Sequence, residues 1–248
     1  IKNQIIDCIT EIGMKLLQYN QWNELIPWTI NLFNSNQYFD RINALQIFGL
    51  MSENAFLSIK NDFNKILQCY QKSLNDPILK VQIAGIEAIS LTMKSLESDQ
   101  CKLFKPVLKE ALKLLERTVN HDVELYKTQL SKNRNNIDID TETTFELTIA
   151  TLEILSDMAR AEAVLFRDCL DSYVRSMIML AMNNKFPDTV RTFALEFLVT
   201  LGQGDPSFCR KSKLYPQAIV DIAVGSFLQE LCDDATWEEE AYGGNDYN

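Results

Sequence analysis

The chain has 248 residues, 46% of them hydrophobic and 23% charged, with only 8 Gly and 6 Pro to interrupt it. That apolar content excludes a disordered polar tract, and the length suits one large domain or two small ones. The net charge is −10, yet residues 229–248 hold seven acids and no Lys or Arg, so the rest is nearly balanced and shows no basic stripe for a nucleic acid.

No apolar run approaches the roughly 18 residues that a membrane-crossing helix needs. The longest candidate, Met177 to Met182, is far shorter. The chain opens at Ile1 inside a helical pattern with no signal peptide, so it is expected to be a piece cut from a longer protein. Cys8, Cys69, Cys101, Cys169, Cys209 and Cys232 show no CxxC spacing. They are expected to be reduced core residues of a cytosolic or nuclear protein. His121 is the single histidine and sits in a polar stretch, so no local zinc cluster is expected.

Apolar residues recur at three- and four-residue steps, as in Leu103, Val107, Leu108, Ala111, Leu112 and Leu115. Expected helices cover 1–18, then 22–34 with 38–53, and 57–74 with 77–96. They continue with 101–119 paired with 143–161, 164–183 paired with 187–202, and 207–231. No stretch alternates with period two, so strands are not expected. Second helices begin near 38, 77, 144 and 187, at steps of 39, 67 and 43. The long step contains a polar insert at 120–142, and without its 23 residues the step becomes 44. A two-helix repeat of about 40 residues is the signature of a HEAT or armadillo solenoid.

The expected fold is therefore all-α, a HEAT-repeat α-solenoid: a right-handed superhelix of antiparallel helix pairs. Its array is 1–18 (partial), 22–53, 57–96, 101–161 with the insert, 164–202 and 207–231 (partial), followed by an acidic segment at 232–248.

Second helices share an opening. Asp188, Val190, Arg191, Ala194, Leu195 and Leu198 set it out; Arg41, Ala44, Leu45 and Phe48 repeat its later part, and Asp76, Lys80 and Ala84 do so loosely. The Asp either caps a helix or pairs with a basic residue of a neighbouring repeat. The Ala permits close helix approach. These helices are apolar on two sides, as at Ile42, Leu45, Ile47, Phe48 and Met51. First helices carry an early proline at Pro27, Pro106 and Pro216, which bends the axis only if it lies past the first turn. The insert, from Asn120 to Glu142, is expected to be a polar loop, with room for a short helix at 121–130.

Three blocks carry a family resemblance. Gln21-Trp22-Asn23-Glu24-Leu25-Ile26-Pro27-Trp28 opens one repeat, and Arg41 to Phe48 continues it. Val190 to Leu201 is a second block, and Asp233-Asp234-Ala235-Thr236-Trp237-Glu238-Glu239-Glu240 is a third. Together they resemble the importin-β (karyopherin-β) family of nuclear transport receptors, nearest the importin-5 branch. The likeness covers nearly the whole chain except the insert, which departs from that branch. It implies a piece of the N-terminal half of a receptor that shuttles between cytoplasm and nucleus. Such receptors hold basic cargo proteins on a concave face built from second helices. Ran-GTP releases import cargo, and Phe-Gly nucleoporins are gripped between outer helices. The first repeats, where much of the family's Ran contact lies, are expected to fall outside this piece, so Ran-GTP is expected as a partner of the full-length protein. No direct nucleic acid, no membrane and no cofactor are implied.

Under that resemblance the candidate cargo-binding residues form two groups. Glu146, Glu153 and Asp157 share one side of helix 143–161, and Glu196 adds to them from the next repeat; the competing reading is an ordinary solvated face. Asp233, Asp234, Glu238, Glu239 and Glu240 surround Trp237, and either pair with Lys or Arg of cargo or form a loop without a fixed partner. Phe63, Phe104 and Phe166 are first-helix aromatics that serve either an outer groove or the inter-helix core. A generic HEAT scaffold of a phosphatase, kinase or chromatin complex is the alternative function. An enzyme is not expected: no Gly-rich phosphate loop and no GxSxG is present.

Overall fold

The computed structural model describes residues 2–19, 21–132 and 141–233, with side chains over 4–17, 19, 21–131 and 143–225. Among them the chain forms α-helices and short 3-10 turns and no strand. In order they are α1 (Lys2–Gln18), α2 (Leu25–Phe33), α3 (Tyr38–Ile59), α4 (Phe63–Ser73), α5 (Leu79–Met93), α6 (Ser98–Cys101) and α7 (Lys105–Lys132). Then follow α8 (Thr141–Thr144), α9 (Glu146–Glu162), α10 (Leu170–Ala181), α11 (Asp188–Gly204), α12 (Pro206–Cys209) and α13 (Tyr215–Asp233).

The helices stack in two layers. Hairpins are α2 with α3, α4 with α5, α7 with α9, and α10 with α11. The second helices form an unbroken row in which α1 packs on α3, α3 on α5, α5 on α9 and α9 on α11. A helix in that row has partners on three sides, which explains its apolar residues all round. In α5, every residue from Val81 to Met93 is buried except half-buried Leu91 and exposed Glu87. Outer helices bury one stripe only, as α2 does through Leu25, Ile26, Thr29 and Phe33.

Close approach in the row requires small residues. A Cβ on Gly49 of α3 would sit 2.9 Å from the Ala88 Cα of α5. Polar ties also cross the layers: the Tyr70 hydroxyl lies 3.3 Å from Ser52 Oγ and 3.0 Å from Thr92 Oγ1. Tyr173 donates to the Leu108 carbonyl, and Tyr215 to that of Leu198. Helix α3 kinks at Ala55 (φ −143°, ψ 38°). Ser95 Oγ is within bonding distance of the Ser52 and Glu53 carbonyls just before that kink.

Pro27, Pro106 and Pro216 all fall within the first turn of α2, α7 and α13. A proline bends the axis only past the first turn, and none of the three lies there.

The insert expected at 120–142 is helical over 121–130, as allowed for, but as a continuation of α7 to Lys132 and not as a separate short helix in a polar loop. Its stripe does not stop at Val119: Val123 and Tyr126 carry it on at helical spacing and pack against the core. Asp122, only 1% exposed, fixes the extension by accepting from Thr148 N at 2.9 Å and Thr148 Oγ1 at 2.7 Å. A buried carboxylate thus caps α9 from a neighbouring helix.

Candidate functional site

The second-helix row presents one polar residue per helix at a constant register. Gln46 is the ninth residue of α3, Glu87 the ninth of α5, Glu153 the eighth of α9 and Glu196 the ninth of α11. Asp7 of α1 extends the series. All five line two grooves that share Glu87 and Leu91. One, of about 190 Å³, runs over α1, α3 and α5; the other, of about 370 Å³, runs over α5, α9 and α11.

Charge along this face is partly neutralised. Lys94, the C-cap of α5, lies 3.8 Å from Glu53 and 3.3 Å from Asp157. Arg160 pairs with Asp157 on its own helix and reaches Glu196 of α11 at 3.4 Å. Five charges of alternating sign therefore cross from α3 to α11. Among the described residues neither Glu87 nor Glu153 has an ion-pair partner. The Glu87 carboxyl is pushed above its ordinary range, first by burial, then by the Asp157 carboxylate, with Lys94 opposing. Its oxygens still reach water along the open groove, so the walls crowd the group without sealing it.

Of the residues picked out from sequence, Glu153, Asp157 and Glu196 come together in the wider groove. Glu146 does not: it is exposed in the first turn of α9, where its charge suits the helix N-terminus. Asp233 closes the α13 backbone, and its side chain, with Asp234, Trp237, Glu238, Glu239 and Glu240, lies outside the described residues. Glu87, Ser90 and Ser156 line the groove and were not picked out; the repeat step would have located Glu87, since the longer spacing between α5 and α9 carries it onto Glu153.

Phe104 and Phe166 are buried, and Phe63 is half-buried with its ring edge-on to Phe56. All three serve the core. Burial pushes the Cys169 and Cys209 thiols up to about 11, and those of Cys69 and Cys101 up as well, so these sulfurs stay protonated near neutral pH. His121 sits on α7 and donates from Nδ1 to Asp122 at 2.9 Å. Among the described residues no group of His, Cys, Asp or Glu is arranged to hold a metal ion.

Comparison with known proteins agrees with the all-helical repeat fold. A family model described as IPO5-like, TPR repeats matches residues 1–175. A second, described as an importin repeat, matches residues 183–247. The probable importin-5 homolog of Dictyostelium discoideum is 23% identical over 126 residues, covering 50% of this chain and 12% of that protein. The karyopherin Kap121p bound to the SUMO protease Ulp1p superposes with a TM-score of 0.68 at 21% identity, over 92% of this chain and 20% of that one. Kap121p bound to Nup53p gives 0.67 at 21% identity over the same shares. At such identity the structural likeness is one of fold, and the chain spans a fifth or less of these relatives' length.

Proposed function

The chain belongs to the importin-5-like family, and from that premise we propose that it forms part of a nuclear import receptor whose second-helix face takes basic cargo. The carrying observation is the acidic register line: Asp7, Glu87, Glu153 and Glu196 open into one pair of connected grooves. A polypeptide with spaced basic side chains would meet a carboxylate on α1, α5, α9 and α11, with the Gln46 amide at the same register on α3, and the clustered charge would steer its approach. Kap121p has been solved with bound protein partners, one of them Nup53p, which supports both cargo and nucleoporin binding by this reading. Release by Ran-GTP, contact with Phe-Gly nucleoporins and shuttling between cytoplasm and nucleus complete the proposal for the full-length receptor. It assigns the chain no catalysis.

The test is fluorescence anisotropy of a labelled lysine-rich peptide against the 248-residue chain at low and moderate salt. Binding that weakens steeply with salt, and that falls by about tenfold in Glu153→Lys with Glu196→Lys, is expected. A chain that binds the lysine peptide no better than an uncharged counterpart would overturn the reading and leave the scaffold alternative.

A further inference from the structure

The floor of the wider groove holds two polar groups with incomplete bonding. Ser90 and Ser156 are each 2% exposed, and neither Oγ has a hydrogen-bond partner among the described residues. Buried hydroxyls inside a helix usually return to the carbonyl one turn back, as Thr92 does to Ala88 and Thr151 to Leu147. These two do not, and orphaned side-chain oxygens are uncommon in native interiors. Both line the groove, each three residues after a carboxylate that lines it too. Helices α5 and α9 therefore present the same pair at the same register: Glu87 with Ser90, and Glu153 with Ser156.

The surroundings fix the sign of a ligand. Asp157 and Glu196 are already held by Lys94 and Arg160, whereas Glu87 and Glu153 are unpaired. Leu91, Ile154 and Phe193 add apolar wall.

We propose that the junction of α5 and α9 is a site for one lysine side chain of an extended partner segment. Its three N–H donors go to the carboxylates of Glu87 and Glu153 and to the hydroxyl oxygen of Ser90 or Ser156, which turns from the groove floor toward the ammonium by a change of rotamer. The inference rests on the basic-cargo reading and names a subsite within it. An ammonium brings three donors and no acceptor, which suits a set of oxygens divided between two helices. A guanidinium is a rigid planar fork matched to a single carboxylate, so arginine fits less well. The apolar wall covers the aliphatic stem of the lysine. The crowding of Glu87 by burial and by Asp157 is relieved when a cation arrives.

The test uses terminally blocked glycine-serine peptides carrying spaced lysines, with arginine and acetyl-lysine counterparts. On the wild-type chain, the lysine peptide should shift backbone amide signals of residues 87–91 and 153–157 in NMR spectra, and the acetylated peptide should not. Glu87→Gln with Glu153→Gln should weaken lysine-peptide binding by about tenfold or more. Ser90→Ala with Ser156→Ala should weaken it by roughly threefold to tenfold, with a smaller effect on the arginine peptide. Removing orphan hydroxyls leaves the melting temperature unchanged or raised, so misfolding cannot produce that loss. Amide shifts elsewhere on the second-helix face, or unchanged affinity in the serine variant, overturn the subsite while the basic-cargo reading stands. Failure of the lysine peptide to bind the wild-type chain at all overturns both.

Discussion

Asp76 clasps Arg41 across two successive hairpins, accepting from Nε at 2.8 Å and from Nη2 at 3.1 Å. Arg41 also donates to the carbonyls of Ser35 and Asn36, and Asp76 accepts from Ile78 N at the start of α5. The side chains are only 15% and 9% exposed. Truncating either one strands the other where water screens it poorly. Asp76→Ala should cost about 2–4 kcal/mol in urea unfolding, including the lost cap, and combining it with Arg41→Met should cost less than the two changes summed. Arg167 and Asp205 repeat the device at 2.7 Å near the end of the array, so Asp205→Ala is expected to act in the same direction.

Gly49 stands where α3 and α5 approach closely. A methyl there meets the Ala88 backbone, which cannot swing away as a side chain end does. Gly49→Ala, which in a free helix is favourable, should here destabilise by about 1–3 kcal/mol, and Gly49→Val by more. Thermal melting of the two variants beside wild type measures the order.

Asp122 supports both α9 and the last turns of α7. Asp122→Ala removes the acceptor for Thr148 N and Oγ1 in a buried position. A loss of about 1–3 kcal/mol is expected, together with faster proteolysis around residues 120–132. Asp122→Asn keeps one acceptor oxygen and should recover part of the loss.

Glu87 gives a pH signature. Its carboxyl is raised in the folded chain by burial and by Asp157, with Lys94 opposing. The native state therefore holds this proton more tightly than the unfolded state does. That contribution is fully present below the unfolded carboxylate range and is lost as pH rises through the folded value. Glu87→Gln, fixed as neutral, should melt higher than wild type at neutral pH, and the gap should close as the buffer is taken below the carboxylate range. Melting curves of both proteins across that interval decide it; a gap that widens on acidification would contradict the assignment.

Repetition made the helices legible. Stripes such as Val190, Ala194, Phe197, Leu198 and Leu201 fix a helix and its buried side at once, and those residues are buried in α11. The continuation of α7 was harder to read, because Asn120, His121 and Asp122 look like a loop when polarity alone is weighed. The stripe through Val119, Val123 and Tyr126 runs straight through them, and Asp122 is buried because its partners lie 26 residues on. The site was half legible. Glu153, Asp157 and Glu196 stand out as acids on helix faces, but Glu87 is enclosed by apolar neighbours in sequence and reads as an interruption of a core. Ser90 and Ser156 give no signal in sequence: an unsatisfied hydroxyl exists only once the packing around it is known.

The alternating charges from Glu53 through Lys94, Asp157 and Arg160 to Glu196 have a mechanical consequence. Their side chains are 30–58% exposed, so dissolved ions weaken these bonds, whereas the helix contacts of the core are buried. Electrolyte thus loosens the ties between successive second helices on that face while leaving the apolar contacts beneath intact.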